Sequence, residues 1–163
     1  MFSRLAVIAV ILVGSAFLLG YGPNLAASKT DIPRIENMES VGNTGPLDGM
    51  EFVSKLGPEG KPKDVDDRFV FSDGTFVSKE CELRCSYPAR AYYIKETNTG
   101  TEFVSNTKCP HKDAEITWHG TVKGTQISGT AIWTIKRWYW TVTNTFEFEG
   151  QLNEKPSISA VGS

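Results

Sequence analysis

In the last third of this chain, apolar and polar side chains alternate at every second residue through three consecutive stretches. From 114 to 122, Ile116, Trp118, Gly120 and Val122 share one face, while Glu115, Thr117, His119 and Thr121 share the other. From 125 to 135, Ile127, Gly129, Ala131, Trp133 and Ile135 oppose Gln126, Ser128, Thr130 and Thr134. From 140 to 152, Trp140, Val142, Asn144, Phe146 and Phe148 oppose Thr141, Thr143, Thr145, Glu147 and Glu149. Successive strand side chains point to opposite faces, so this period over such lengths requires an antiparallel sheet with one dry face and one wet face. No window of a dozen residues between the two tails carries the recurrence of an amphipathic helix.

Upstream, short runs of β-branched and aromatic residues are separated by Gly, Asp, Asn and Pro, the punctuation of a meander. The whole pattern predicts strands near 48–54, 68–72, 75–80, 89–97, 101–107, 114–122, 125–135 and 140–152. Ser72-Asp73-Gly74-Thr75 is the strongest hairpin signal, because Asp-Gly readily takes the positive φ angles of a type I′ turn. Asn98-Thr99-Gly100 and Lys123-Gly124 follow it, and a brief helical turn fits Lys79–Cys85. Long strands joined by tight turns suit a sheet curled onto itself, which also removes exposed edges. Gly120 and Gly129, inside strands, fit the bends of such a barrel. The expected fold is therefore all-β: a single antiparallel up-and-down β-barrel of about eight strands over 48–152, with an open sandwich as its rival.

The barrel is expected to carry appendages. Met1 to Arg4 supplies one positive charge, and an apolar or small run follows from Leu5 to Leu19. That run is short for a membrane span, which wants roughly 20 apolar residues. It has the layout of a secretory signal over 1–27, broken by Gly20, Gly22 and Pro23 and followed by small residues at Ala26, Ala27 and Ser28. Tyr21 stands where a lipoprotein would carry its cysteine. Export to the periplasm or medium is the expectation, with membrane attachment only through an uncleaved signal segment. Residues 28–47 and 153–163 are poor in bulky apolar side chains and read as a flexible tether and a flexible tail. Net charge is −2, with both signs interspersed, which gives no electrostatic reason to bind nucleic acid or anionic lipid.

The stretch Thr117-Trp118-His119-Gly120-Thr121-Val122-Lys123-Gly124, followed by Ile127 and Trp133, resembles the T-W-x-G-x-[VY]-x-G…W pattern of avidin-like barrels. Those barrels belong with the lipocalins to the calycin-type architectures. The resemblance covers about twenty residues, and Leu47 to Phe52 stands where a lipocalin would open with Gly-x-Trp. What it implies is a barrel with room for a ligand inside.

Trp118, Trp133 and Trp140 on the dry face, with Asn144 as a polar contact, are the candidate ligand-binding residues. Core packing is the competing role for the same aromatics. Cys81, Cys85 and Cys109 form an odd set of thiols. In an oxidising compartment Cys109 is expected to pair with Cys81 or Cys85. With His111 the same residues number enough for a tetrahedral metal site, but without knuckle spacing. A Cys109–His111 thiol pair lacks an orienting third group, and Asp64, Asp66 and Asp67 lack the rest of a calcium loop. No phosphate loop, nucleophile elbow or HExxH is present, and no cofactor is implied.

These residues point to a non-enzymatic exported barrel that binds a small apolar or aromatic molecule, as a monomer or small homo-oligomer. The alternatives are a structural or protein-interaction module of the cell envelope with a filled barrel and no ligand, and a Cys/His metal-binding protein.

Overall fold

The computed structural model describes residues 35–154. A 3-10 turn at Ile35–Asn37 leads into β1 (Glu39–Ser40), β2 (Glu51–Pro58), β3 (Val65–Ser72) and β4 (Thr75–Ser78). One helix, α1 (Lys79–Cys85), precedes β5 (Arg90–Thr97), β6 (Gly100–Lys108), β7 (Ala114–Lys123), β8 (Gln126–Lys136) and β9 (Thr141–Leu152). From β2 to β9 each strand pairs antiparallel with the next, and β9 returns to β2 in the register Phe52↔Leu152 to Pro58↔Phe146. The eight strands β2 to β9 thus close into an up-and-down antiparallel barrel, and the open sandwich is ruled out. The β3–β4 turn has φ of 52° at Asp73 and 69° at Gly74, the type I′ geometry that the Asp-Gly pair favours.

The inner face is aromatic. Phe69 lies at its centre, with ring centroids 4.9 Å from Phe148, 5.3 Å from Trp118 and 5.5 Å from Phe76. Phe71 extends the cluster to Phe52, Tyr92 and Phe103. These rings fill the middle of the barrel. The alternation of β7 and β8 holds as far as the wall itself. It loses its meaning at the hairpin joining β8 to β9, because β2 stops at Pro58, opposite Phe146. Residues 141–144 are therefore paired only with β8, and the hairpin tip projects past the barrel, with residues 136–144 exposed.

The signal segment expected over 1–27 lies outside the described residues, as do the first part of the expected tether and the tail beyond 154. The remainder of the tether is a correction. Residues 39–47 fold onto the barrel: β1 pairs with β5 at Glu39↔Ile94 and Ser40↔Tyr93, where the short β4 leaves that strand unpaired. Leu47 is fully buried. Leu47 burial, Val41 packed on the core and the β1–β5 pairing hold a segment whose composition alone gave no sign of order.

Asp48 locks this segment in place. Its carboxylate accepts from the Gly45 amide at 2.9 Å, the Gly74 amide at 2.9 Å and the Tyr92 hydroxyl at 3.0 Å. Burial opposes its charge, but those three donors outweigh burial and hold the carboxyl below its usual value. A carboxyl lowered on folding stabilises the fold above its unfolded pKa of about 4, and this contribution is lost as pH falls through the folded value. Asp48→Asn is expected to flatten the dependence of the urea midpoint on pH in that acidic window. Parallel curves for variant and parent would refute this role for the carboxylate.

Candidate functional site: an apolar cleft beneath the helix

The two ends of the barrel differ. One carries the tight turns after β3, β5 and β7 and is covered by the segment ending in Leu47 and Asp48. The other carries α1 and the connections from β2 to β3, β6 to β7 and β8 to β9. At this second end lies a cleft of about 360 Å³.

Helix α1 exists because its first turn is anchored. Ser78 caps it by accepting from the Cys81 amide at 3.1 Å, and Ser86 ends it in the left-handed region at φ 56°. The buried Asp67 of β3 holds the cap. It accepts from the Ser78 hydroxyl at 2.5 Å and from the amides of Glu80 at 2.9 Å and Arg68 at 2.6 Å. Burial pushes the Asp67 carboxyl up despite these donors. Its effect on stability therefore has the opposite sign to that of Asp48: the fold gains from its protonation and loses as pH rises through the folded pKa.

The cleft wall is almost wholly apolar. Leu56 and Val65 come from β2 and β3, Ile116 and Trp118 from β7, Ala131 and Trp133 from β8, and Phe146 from β9. Cys81, Cys85 and Tyr87 close the helix side, with Glu80 and Arg84 paired at the rim. The Trp133 indole N–H donates to the Tyr87 hydroxyl at 2.9 Å, which fixes both rings in the wall. Burial raises the Tyr87 phenol above its usual value and pushes the Cys81 thiol up to about 11, so both stay neutral at physiological pH. A larger hollow of about 510 Å³ lies on the outer wall around Lys55, Asp66, Gln126 and Glu149, where charged, exposed side chains offer an apolar molecule little to bury against.

Of the expected ligand-binding residues, Trp118 and Trp133 meet in the cleft. Trp140 and Asn144 do not; both are exposed on the projecting hairpin. Leu56, Val65, Tyr87 and Ala131 were not anticipated. Tyr87 follows the helix and precedes Pro88, outside any periodic pattern that marks it.

The expected disulfide between Cys109 and Cys81 or Cys85 is absent: all three cysteines are free thiols. Cys109 sits beside Cys85 but turns its Sγ toward that residue's carbonyl oxygen, at 3.7 Å, rather than toward its sulfur. Among the described residues, no three or more His, Cys, Asp or Glu side chains are grouped to hold a metal ion. His111 lies in the exposed loop between β6 and β7, and His119 lies on the outer wall of β7, where burial lowers its imidazole pKa.

Fold and site together define a small eight-stranded up-and-down barrel with a filled centre and an apolar cleft at its helix end. Neither a family model, nor a curated protein, nor a solved structure matches the chain.

Proposed function

We propose that this protein is a non-enzymatic, exported β-barrel that binds a small apolar or aromatic molecule in the cleft beneath α1. The observation that carries this reading is the concave apolar wall of Leu56, Ile116, Trp118, Trp133 and Phe146, with the Tyr87 hydroxyl as a polar group within it. Ligand sites are commonly of this kind: a concave apolar wall with a few placed polar groups. The up-and-down strand order, with Trp118 and Trp133 on the inner face, supports a calycin-like reading, whether avidin-like or lipocalin-like. Export rests on the sequence of residues 1–27.

The aromatic packing that fills the barrel centre favours a second reading, a protein-interaction module of the cell envelope with no internal ligand.

Titration of the full chain with anilinonaphthalene sulfonate, followed by dye and Trp emission, separates the two. The first reading expects a saturable response that Leu56→Trp, which narrows the cleft, weakens about tenfold, or about 1.4 kcal/mol. It also expects the response to survive Trp138→Ser/Tyr139→Ser/Trp140→Ser, which removes exposed aromatic surface elsewhere. A response lost only in the triple variant, or absent from the parent with this dye and with a fatty acid, would favour the interaction module.

A further inference from the structure

The most exposed aromatic surface in the described residues lies on the projecting β8–β9 hairpin. Trp138 is 93 % exposed, Tyr139 56 %, Trp140 49 % and Val142 38 %. The three rings are already assembled, with centroids 4.3 Å apart for Trp138 and Tyr139 and 3.8 Å apart for Tyr139 and Trp140. The loop carrying them is closed by the Arg137 amide donating to the Trp140 carbonyl at 2.8 Å. It is joined to the β6–β7 loop by the Lys136 amide donating to the Asp113 carbonyl at 2.9 Å. Across these two loops, residues 108–113 and 136–140, Lys108, Lys112, Lys136 and Arg137 stand against Asp113 as the only carboxylate. Lys108 alone reaches a carboxylate on the adjoining strand, Glu115 at 3.9 Å. The chain's net charge of −2 conceals this local excess of cations.

We propose that these two loops form a docking face for an anionic lipid surface. Trp and Tyr have an apolar body and a polar tip and favour the boundary between headgroups and acyl chains. Cations set just behind such rings meet lipid phosphates at the same depth. Single-stranded nucleic acid also uses cations and aromatics, but along a groove that tracks its backbone, whereas this surface is a projecting tip. The tip shares the barrel end of the α1 cleft, so docking turns the cleft mouth toward the bilayer. The proposal stands on the hairpin and does not depend on the cleft holding a ligand.

The test uses the full chain with vesicles of phosphatidylcholine containing brominated acyl chains, with or without phosphatidylglycerol. Trp118 is buried and Trp133 half-buried in the cleft wall, so the part of the quenching that Trp138→Phe/Trp140→Phe removes is the part that reports on the hairpin. Quenching is expected with phosphatidylglycerol vesicles and much reduced with phosphatidylcholine alone. It should also fall at about 1 M salt, where the screening length is about 3 Å. Lys112→Glu/Lys136→Glu/Arg137→Glu keeps all four tryptophans and is expected to weaken the interaction about fivefold for each cation removed, while dye binding in the cleft stays unchanged. Unchanged thermal unfolding of the variant would show that these exposed substitutions leave the barrel intact. Equal quenching in neutral and anionic vesicles, or no effect of charge reversal, would overturn the proposal. So would a stronger Trp response to single-stranded DNA than to anionic vesicles, or self-association that occludes the hairpin without lipid.

Discussion

Trp118→Ala is expected to lower stability by about 3–5 kcal/mol, the range for removing a large aromatic from a packed core. The indole is 1 % exposed and sits edge-on against Phe69 and Phe76, with Phe148 as a third ring 5.8 Å away. Such pairs add about 0.5–1.5 kcal/mol each beyond the area they bury. Three partners held by three different strands cannot all move inward, so most of the vacated volume remains as a cavity. The expected fall in Tm is on the order of 10–20 °C. Trp133→Ala is expected to cost less, because that ring is only half-buried and loses mainly its hydrogen bond to Tyr87. Thermal unfolding followed by circular dichroism checks both. Equal losses would show that the two tryptophans are not packed differently, and a Trp118→Ala Tm within about 2 °C of the parent would contradict a filled core.

Gly129→Ala tests the same interior from the opposite direction, by adding one carbon. A Cβ at this position would stand 2.5 Å from the Gly120 Cα and 2.7 Å from the Phe148 ring, and would overlap the His119 carbonyl as well. Two of these neighbours are backbone atoms of the adjacent strand, which cannot turn aside as a long side chain can. Gly120 and Gly129 face each other across β7 and β8, and this pair lets Phe103 and Phe148 lie against bare backbone. The substitution must either spread two strands or displace Phe148 from Phe69, at about 1–3 kcal/mol or more. Urea unfolding measures it. A midpoint equal to the parent's would mean that β7 and β8 do not approach so closely.

The eight barrel strands, the tight turns and the inner face of β7 and β8 were legible because each depends on near neighbours, although β2 and β3 span Glu51–Pro58 and Val65–Ser72 rather than 48–54 and 68–72. Ile116, Trp118 and Val122 repeat at the strand period whatever lies opposite them, and Asp73-Gly74 takes its turn geometry from its own backbone preferences. The brief helix at Lys79–Cys85 was likewise readable. The carboxylate that anchors it, Asp67, reads in the sequence only as part of an acidic loop run.

Half of the candidate site was legible for the same reason. Trp118 and Trp133 follow the alternation into the cleft. Trp140 and Asn144 follow it equally well in sequence yet end in solvent, because β2 ends before it reaches them. Likewise, interspersed charge along the chain becomes a cationic collar once two loops from different hairpins are set side by side.

By itself, then, the sequence determined the number and order of the barrel strands, their tight turns and which side chains share a face, since each follows from the φ and ψ preferences of adjacent residues. Tertiary structure alone decided that β9 closes on β2, that residues 39–47 cover one end, and which aromatics line the cleft rather than solvent. Those outcomes turn on contacts between residues tens of positions apart, and such contacts are chosen by how the whole interior packs.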